Sequence, residues 1–164
     1  LGTQTLNNEL QQLLNPAQAN QREYQRGQVT LRRDDKVIQV ANNYELGVFN
    51  GDIGTVSQTQ VDGGELLVDF AGRIVRYDSE GALDLRLAYA ITIHKSQGSE
   101  FPVVLIPCSM QHYVMLQRNL MYTALTRAKK LAIFIGAKKA LDFAVANQGS
   151  LQRQTNLAAR LHHA

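Results

Sequence analysis

The chain is poor in the features that most often declare a function. It has a single cysteine, Cys108, which excludes an intrachain disulfide and a cluster of thiolate metal ligands. The simplest place for that residue is a small buried position after a strand. No apolar run approaches the ~18 residues that a membrane-spanning helix needs, and no leader pattern opens the chain at Leu1. A cytoplasmic setting, with no membrane partner, is therefore the expectation. Charge of one sign is nearly offset by the other: 17 basic residues face 14 acidic ones, a formal net charge of +3. That excess is too mild to establish nucleic-acid binding, and local clustering matters more than the total. No paired-carboxylate or His/Cys constellation with metal-ligand spacing is visible. The sequence G-x-x-x-x-G-K-[ST], whose backbone cradles phosphates, does not occur either.

What is present is enough for one compact domain with its own core and room for a small insertion: 164 residues, 45% hydrophobic. A start at Leu1 without an initiator Met suggests an excised piece of a longer chain. Leu6, Leu10, Leu13 and Leu14 fall at near-helical spacing and predict an amphipathic helix over 4–14, stopped by Asn15-Pro16. Residues 17–28, rich in Gln, Asn and Arg, read as an exposed loop. Short strands follow at 36–40, 54–61, 65–70 and 73–77, separated by Asn, Asp and Gly turns, and suggest a small barrel. The pattern then becomes α/β. Strands are predicted at 88–93, 102–107 and 131–135, and helices at 115–128, 138–146 and 151–162. In the first of these helices Leu116, Leu120, Met121 and Leu125 share a face, with Lys129 and Lys130 complementing the dipole at its end. The order implies one α/β domain built from 1–45 and 86–164, interrupted by a β module at 46–85.

The densest polar segment lies between two apolar runs: Ala90-Ile-Thr-Ile-His-Lys-Ser-Gln-Gly-Ser-Glu-Phe-Pro-Val-Val-Leu-Ile-Pro107. Short polar side chains such as Thr92, His94 and Ser96 suit a phosphodiester backbone without reading sequence. Gly98 permits close backbone approach. Glu100 is an acceptor when ionised and so suits a hydroxyl of a ribose rather than a phosphate. A solvated connection between strand and helix is the plainer explanation of each residue taken alone. A second segment, Arg118-Asn-Leu-Met-Tyr-Thr-Ala-Leu-Thr-Arg-Ala-Lys-Lys130, carries Arg127. A guanidinium stays protonated and donates bidentately, which suits charge building on a γ-phosphate. A surface arginine at a helix end is its plain alternative.

Together the two segments resemble motifs V and VI of superfamily 1 helicases, most closely the RecD-like branch, the exodeoxyribonuclease V alpha-subunit family of DNA repair and recombination. Three more blocks occur in the family's order: Leu6-Asn-Asn-Glu-Leu-Gln-Gln-Leu-Leu-Asn-Pro16, Lys36-Val-Ile-Gln-Val-Ala-Asn-Asn-Tyr44 and Val48-Phe-Asn-Gly-Asp-Ile-Gly-Thr-Val56. The resemblance implies a RecA-like parallel sheet of the P-loop NTPase type (domain 2A), with an inserted SH3-like barrel (2B) over 46–85. It implies that Thr92, His94 and Ser96 face single-stranded DNA, that Gly98 and Glu100 face ATP, and that Arg127 is an arginine finger. Asn43 and Tyr44 read either as a DNA contact or as a turn with a packed tyrosine. Arg73, Arg76 and Tyr77 read either as a backbone-binding edge or as an ordinary solvated face.

A helicase of this kind needs two motor domains. The phosphate loop and the acidic pair for Mg²⁺ belong to the first, domain 1A, which has no counterpart in these residues. The resemblance therefore implies the C-terminal part of an ATP-dependent 5′-to-3′ DNA helicase that is inactive without its other half. Its implied partners are domain 1A, single-stranded DNA and subunits of the RecB and RecC kind, with ATP and Mg²⁺ bound mainly by domain 1A. Two rivals stand beside it: the helicase half of a conjugative relaxase, and a stand-alone module that binds DNA or peptide without catalysis.

Overall fold

The structure, a computed structural model, describes residues 2–26, 29–61 and 64–147. They fall into two units, residues 1–95 and 96–164.

The first unit opens with helix α1 (Thr3–Leu14). Its leucines do not form the buried stripe that their spacing predicts: Leu13 and Leu14 are exposed, and the buried positions are Asn7 and Gln11. The reason lies in what the helix covers. Asn7, Gln11 and Asn15 recur every fourth residue, so they share a face; Asn7 hydrogen-bonds to the Ala90 carbonyl, and Gln11 and Asn15 to the buried Asp35 carboxylate. Residues 17–28, expected to be an exposed loop, instead contain the first arm of a hairpin, β1 (Tyr24–Arg26) paired antiparallel with β2 (Val29–Leu31). Tyr24 and its register partner Leu31 are both buried, and strands of three residues are too short for alternation to show.

Strands β3 (Lys36–Gln39), β4 (Ile53–Val61), β5 (Glu65–Phe70), β6 (Arg73–Tyr77) and β7 (Leu85–Leu87) form an antiparallel sheet in the order β6-β5-β4-β3-β7. Alternate residues of β5, namely Leu66, Val68 and Phe70, point inward. They meet Val37, Val48, Val56, Val75, Tyr77 and Leu85 in one apolar core. Among the described residues the ladder stays open, with β6 and β7 as edges. The sheet draws β3 and β7 from either side of the predicted insertion, because Val37 and Leu85 bury their side chains in the same core.

No strand forms at 88–93. The last rung after β7 is the Ala88 N–H donating to the Lys36 carbonyl at 2.7 Å, and from there to Glu100 the chain is turn and coil. Apolar residues at Ile91 and Ile93 suggested a strand, but the chain leaves the sheet after Ala88, and the Asn7 side chain takes both polar groups of Ala90 in place of a neighbouring strand.

In the second unit β8 (Phe101–Cys108) and β9 (Ala128–Gly136) pair in parallel. Helix α2 (Arg118–Leu125) packs on both strands and α3 (Lys138–Ala146) packs on α2. The helix predicted over 115–128 is shorter because the chain turns at Thr126 and Arg127 to bring Ala128 beside Phe101. Lys129 and Lys130 therefore lie in β9 and do not cap a helix. Leu116, Met121 and Ala124 are buried, whereas Leu125 is exposed. Cys108 is buried against Met121, which pushes its thiol above the usual range. The opposite face of this sheet carries Val103, Leu105 and Pro107 beside Leu131, Ile133 and Ile135, all exposed. The helix predicted at 151–162 and the pair His162 and His163 lie outside the described residues. No helix among the described residues is long and apolar enough to cross a membrane.

Candidate functional site

Thr92, His94 and Lys95 are exposed at the end of the first unit. The Lys95 N–H donates to the Thr92 hydroxyl at 3.3 Å, a local turn that replaces sheet pairing. The approach to this turn is fixed from α1. The Asn7 side chain donates to the Ala90 carbonyl at 2.7 Å and accepts from the Ala90 N–H at 2.9 Å. A primary amide carries one donor and one acceptor side by side, as a peptide does, so Asn7 acts as a one-residue strand for Ala90. One residue earlier, the Tyr89 hydroxyl donates to Asp35 at 2.7 Å, and the same buried carboxylate accepts from Gln11, Asn15 and the Arg32 N–H. Four donors replace the water that a fully buried carboxylate loses. The Tyr89 hydroxyl is correspondingly harder to ionise, chiefly through burial and then through its bond to Asp35. Nothing in the spacing of the sequence marked Asn7, Asp35 or Tyr89.

Asn43 is committed to a turn: its backbone bridges Val48 and its side chain accepts from the Leu46 N–H at 3.0 Å. Tyr44 is not packed into the core. It is 78% exposed and meets Phe49 edge-on, with ring centroids 5.9 Å apart. Phe49, also exposed, is a further candidate that the sequence reading passed over, because it sat in a turn motif. Arg73 donates to the carbonyls of Leu46 and Gly47. Arg76 pairs with Glu65 at 3.0 Å, and Tyr77 is buried with its hydroxyl on Gln39. All three lie on the edge strand β6, where Arg73 and Arg76 are exposed and Tyr77 is buried.

In the second unit the parallel pairing of β8 with β9 joins two motifs that the sequence keeps apart. The Phe101 N–H donates to the Arg127 carbonyl at 2.8 Å. The Arg127 guanidinium donates to the carbonyls of Ser99 and Thr123 and to the Thr126 hydroxyl, each at 3.2 Å. Three of its five N–H groups are so occupied, and the side chain is half-buried. Glu100 pairs with Lys129 at 3.1 Å with both side chains more than half exposed, an arrangement that holds the carboxylate in place but adds little stability. Gly98, at φ +85, has open space where a Cβ would stand. Ser96 is 6% exposed, so its hydroxyl is shielded, and its carbonyl accepts from the Ser99 N–H. Arg118, at the start of α2, braces it to α3 by donating to the Val145 carbonyl at 2.8 Å. No group of three His, Cys, Asp or Glu among the described residues is placed to hold a metal.

Residues 6–70 match the family described as ATP-dependent RecD-like DNA helicase SH3 domain, and residues 87–135 match the UvrD-like helicase C-terminal domain. The chain is 39% identical over 161 residues to the ATP-dependent RecD2 DNA helicase of Deinococcus radiodurans, covering 98% of this chain and 22% of the relative. It is 36% identical over 129 residues to the RecBCD enzyme subunit RecD of Mycolicibacterium smegmatis, covering 78% of this chain and again 22% of the relative. The chain thus spans about a fifth of the length of these curated relatives. Among solved structures, Bacteroides Pif1 bound to ssDNA shares the fold, with a TM-score of 0.56 at 20% identity over 87% of this chain and 42% of that one. The Pif1 complex with ADP-AlF3 and ssDNA gives a TM-score of 0.54 at 21% identity over the same 87% and 42%. The fold is accordingly that of a RecA-like helicase domain joined to an SH3-like module, and the chain belongs to the RecD-like helicase family.

Proposed function

We propose that this chain supplies the second motor half of an ATP-dependent DNA helicase that moves 5′ to 3′. The observation that carries the reading is the β8–β9 pairing, which seats Arg127 against Ser99 and places Glu100 one residue away. A side chain that reaches a triphosphate and a carboxylate that reaches its ribose have to come from one rigid corner, and this pairing provides one. Arg127 acts as the arginine finger, exchanging its present carbonyl partners for the γ-phosphate oxygens when the cleft closes. Gly98 gives the backbone close approach to the nucleotide, and Glu100 accepts from the ribose. The described residues offer no ligand set for Mg²⁺, which in this reading enters with the triphosphate on domain 1A.

Thr92 and His94 grip the single strand by its backbone. Ser96, shielded from solvent, serves that grip as the buried post of the loop. Tyr44 contributes a ring on which a base stacks, supported by Phe49, while Asn43 holds the turn that presents it. In the full-length protein, the 2B module comprises residues 46–85 together with β3 and β7, which complete its sheet, and the rest of the chain serves the motor domain. Domain 1A is the obligatory partner, and subunits of the RecB and RecC kind are partners only where the protein works within a nuclease complex.

The test is DNA-stimulated ATPase activity, measured on this chain and on the full-length protein that contains it. Activity confined to the full-length protein is the expected result. Robust turnover by the 164-residue chain alone sinks the split-motor reading, and an inactive full-length protein favours a binding module. Replacing Thr92 and His94 by Ala in the full-length protein should weaken single-strand binding and the stimulation it causes. Intact stimulation removes those two residues from the grip.

A further inference from the structure

A cleft in the first unit lies between α1 and the segment from Arg86 to Lys95, with a volume of about 320 Å³. That volume is at the lower end of the range for small-ligand sites, roughly 300–1,000 Å³. We propose that it seats one nucleotide of the single strand, next to the backbone contact made by Thr92. The proposal rests on the reading of Thr92 as a DNA contact and goes further by assigning the neighbouring residues, base included.

Three features of the lining select this ligand. The first is charge: Arg86 and Lys95 line the cleft, and no Asp or Glu does. Arg86 is held in place by its Nη1, which donates to the Leu83 and Leu85 carbonyls at 2.6 and 2.8 Å. Its Nε and Nη2 have no partner among the described residues, and neither does the Lys95 ammonium. A fixed guanidinium beside a mobile ammonium suits an anion with several oxygens, as a phosphodiester has. The second feature is an apolar lining from Val29, Ile38, Leu87 and Ile91, a surface for the flat face of a base. The third is a pair of amides, Gln4 and Asn8, one helical turn apart on α1 and both bordering the cleft. Each amide both donates and accepts, so together they satisfy the edge of any base without choosing among them. A phosphate, a flat apolar body and a hydrogen-bonding edge are the parts of a nucleotide. Thr92 also lines the cleft, so the strand it grips passes the opening. The Asn7 clamp on Ala90 fixes one wall, so the cleft is formed before the ligand arrives.

The experiment uses the full-length protein and fluorescein-labelled oligo(dT), with binding followed by anisotropy across a salt series. Replacing both Arg86 and Lys95 by Ala should lower the slope of log K against log salt by about 0.7 to 1.4, one or two phosphate contacts on a single strand. Lys95→Ala alone, which touches no backbone carbonyl, should lower it by about 0.7 and guards against a folding defect in the double variant. Gln4→Ala with Asn8→Ala should keep the slope while narrowing the preference for dT over a strand of abasic residues. Unchanged slopes in both cation variants, with Thr92→Ala/His94→Ala still weakening binding, overturn the cleft and leave the helicase reading intact. Wild-type protein that binds no single strand overturns both. Displacement of the oligonucleotide by free dTMP as effectively as by an unlabelled strand overturns the assignment to a strand.

Discussion

Asn7 shows how one side chain can decide the path of a segment far from it in sequence. Its amide occupies both polar groups of Ala90. Asn7→Leu keeps the branched outline of the side chain and removes both bonds, leaving a half-buried N–H and carbonyl unpaired. The cost is about 2 kcal/mol, and amide exchange at Ala90 should quicken about thirtyfold while exchange in β4 and β5 stays slow. Exchange at Ala90 unaltered by the substitution means the segment is held by something else. Arg127 makes the complementary case. Its three intramolecular bonds are to neutral acceptors and exchangeable for phosphate oxygens. Arg127→Ala in the full-length protein should slow ATP turnover by roughly 10³-fold or more, with single-strand affinity largely retained. Turnover at the wild-type rate takes Arg127 out of the site. Arg127 was legible in the sequence because it sits in a dense motif, Tyr122-Thr-Ala-Leu-Thr-Arg-Ala128. Asn7 lies in the family block Leu6–Pro16, but its role was not legible, because it comes from a partner 83 residues away, and an asparagine on a helix carries no sign of that.

At the scale of elements, the sequence was readable where strands are long and half-buried. Strands β4, β5 and β6 and helix α3 lie within a residue of their expected limits, because alternation and helical spacing express burial directly. The misses share one cause, which is that backbone pairing was settled by tertiary partners. Residues 88–93 have the composition of a strand, but a side chain of α1 takes the polar groups of Ala90 where a strand would pair. The hairpin of β1 and β2 has loop composition and a buried tyrosine that makes it a hairpin. Helix α1 has a leucine pattern and buries amides. Gly136 ends β9 for a reason that is again tertiary: at φ +147 it lies against β8, where an added Cβ would overlap the Cys108 carbonyl. Gly136→Ala should therefore destabilise the second unit by roughly 3 kcal/mol or more. Gly98→Ala, at a positive φ but in open space, should cost only about 1 kcal/mol. Urea unfolding of the two variants followed by a probe in α2 or α3 separates these costs, and equal midpoints would mean that β8 and β9 are not closely paired at Gly136.

At the scale of the whole molecule, the sheet of the second unit is covered on one side only among the described residues. Parallel strands are ordinarily buried on both faces, since the connections between them lay helices over each. Here α2, backed by α3, covers the face that carries Ile106 and Cys108, and the face of Val103, Leu105, Leu131, Ile133 and Ile135 is 40–59% exposed. Tyr113, Val114 and Met115 add exposed apolar surface in the same unit. A contiguous apolar face of this size marks an interface, and relatives that extend to several times the length of this chain have the residues to cover it. The 164-residue chain alone should thus bind a hydrophobic dye such as ANS and self-associate as its concentration rises, whereas the full-length protein should do neither. Replacing Leu105 and Ile133, cross-strand neighbours on that face, by Lys and Glu should keep the isolated chain monomeric and lower its dye binding. The same pair of substitutions in the full-length protein should lower its stability by several kcal/mol, because both charges would then be buried. A full-length protein that tolerates the pair without loss of stability would show that this face is open to solvent there too, and that its apolar residues serve a partner outside the polypeptide.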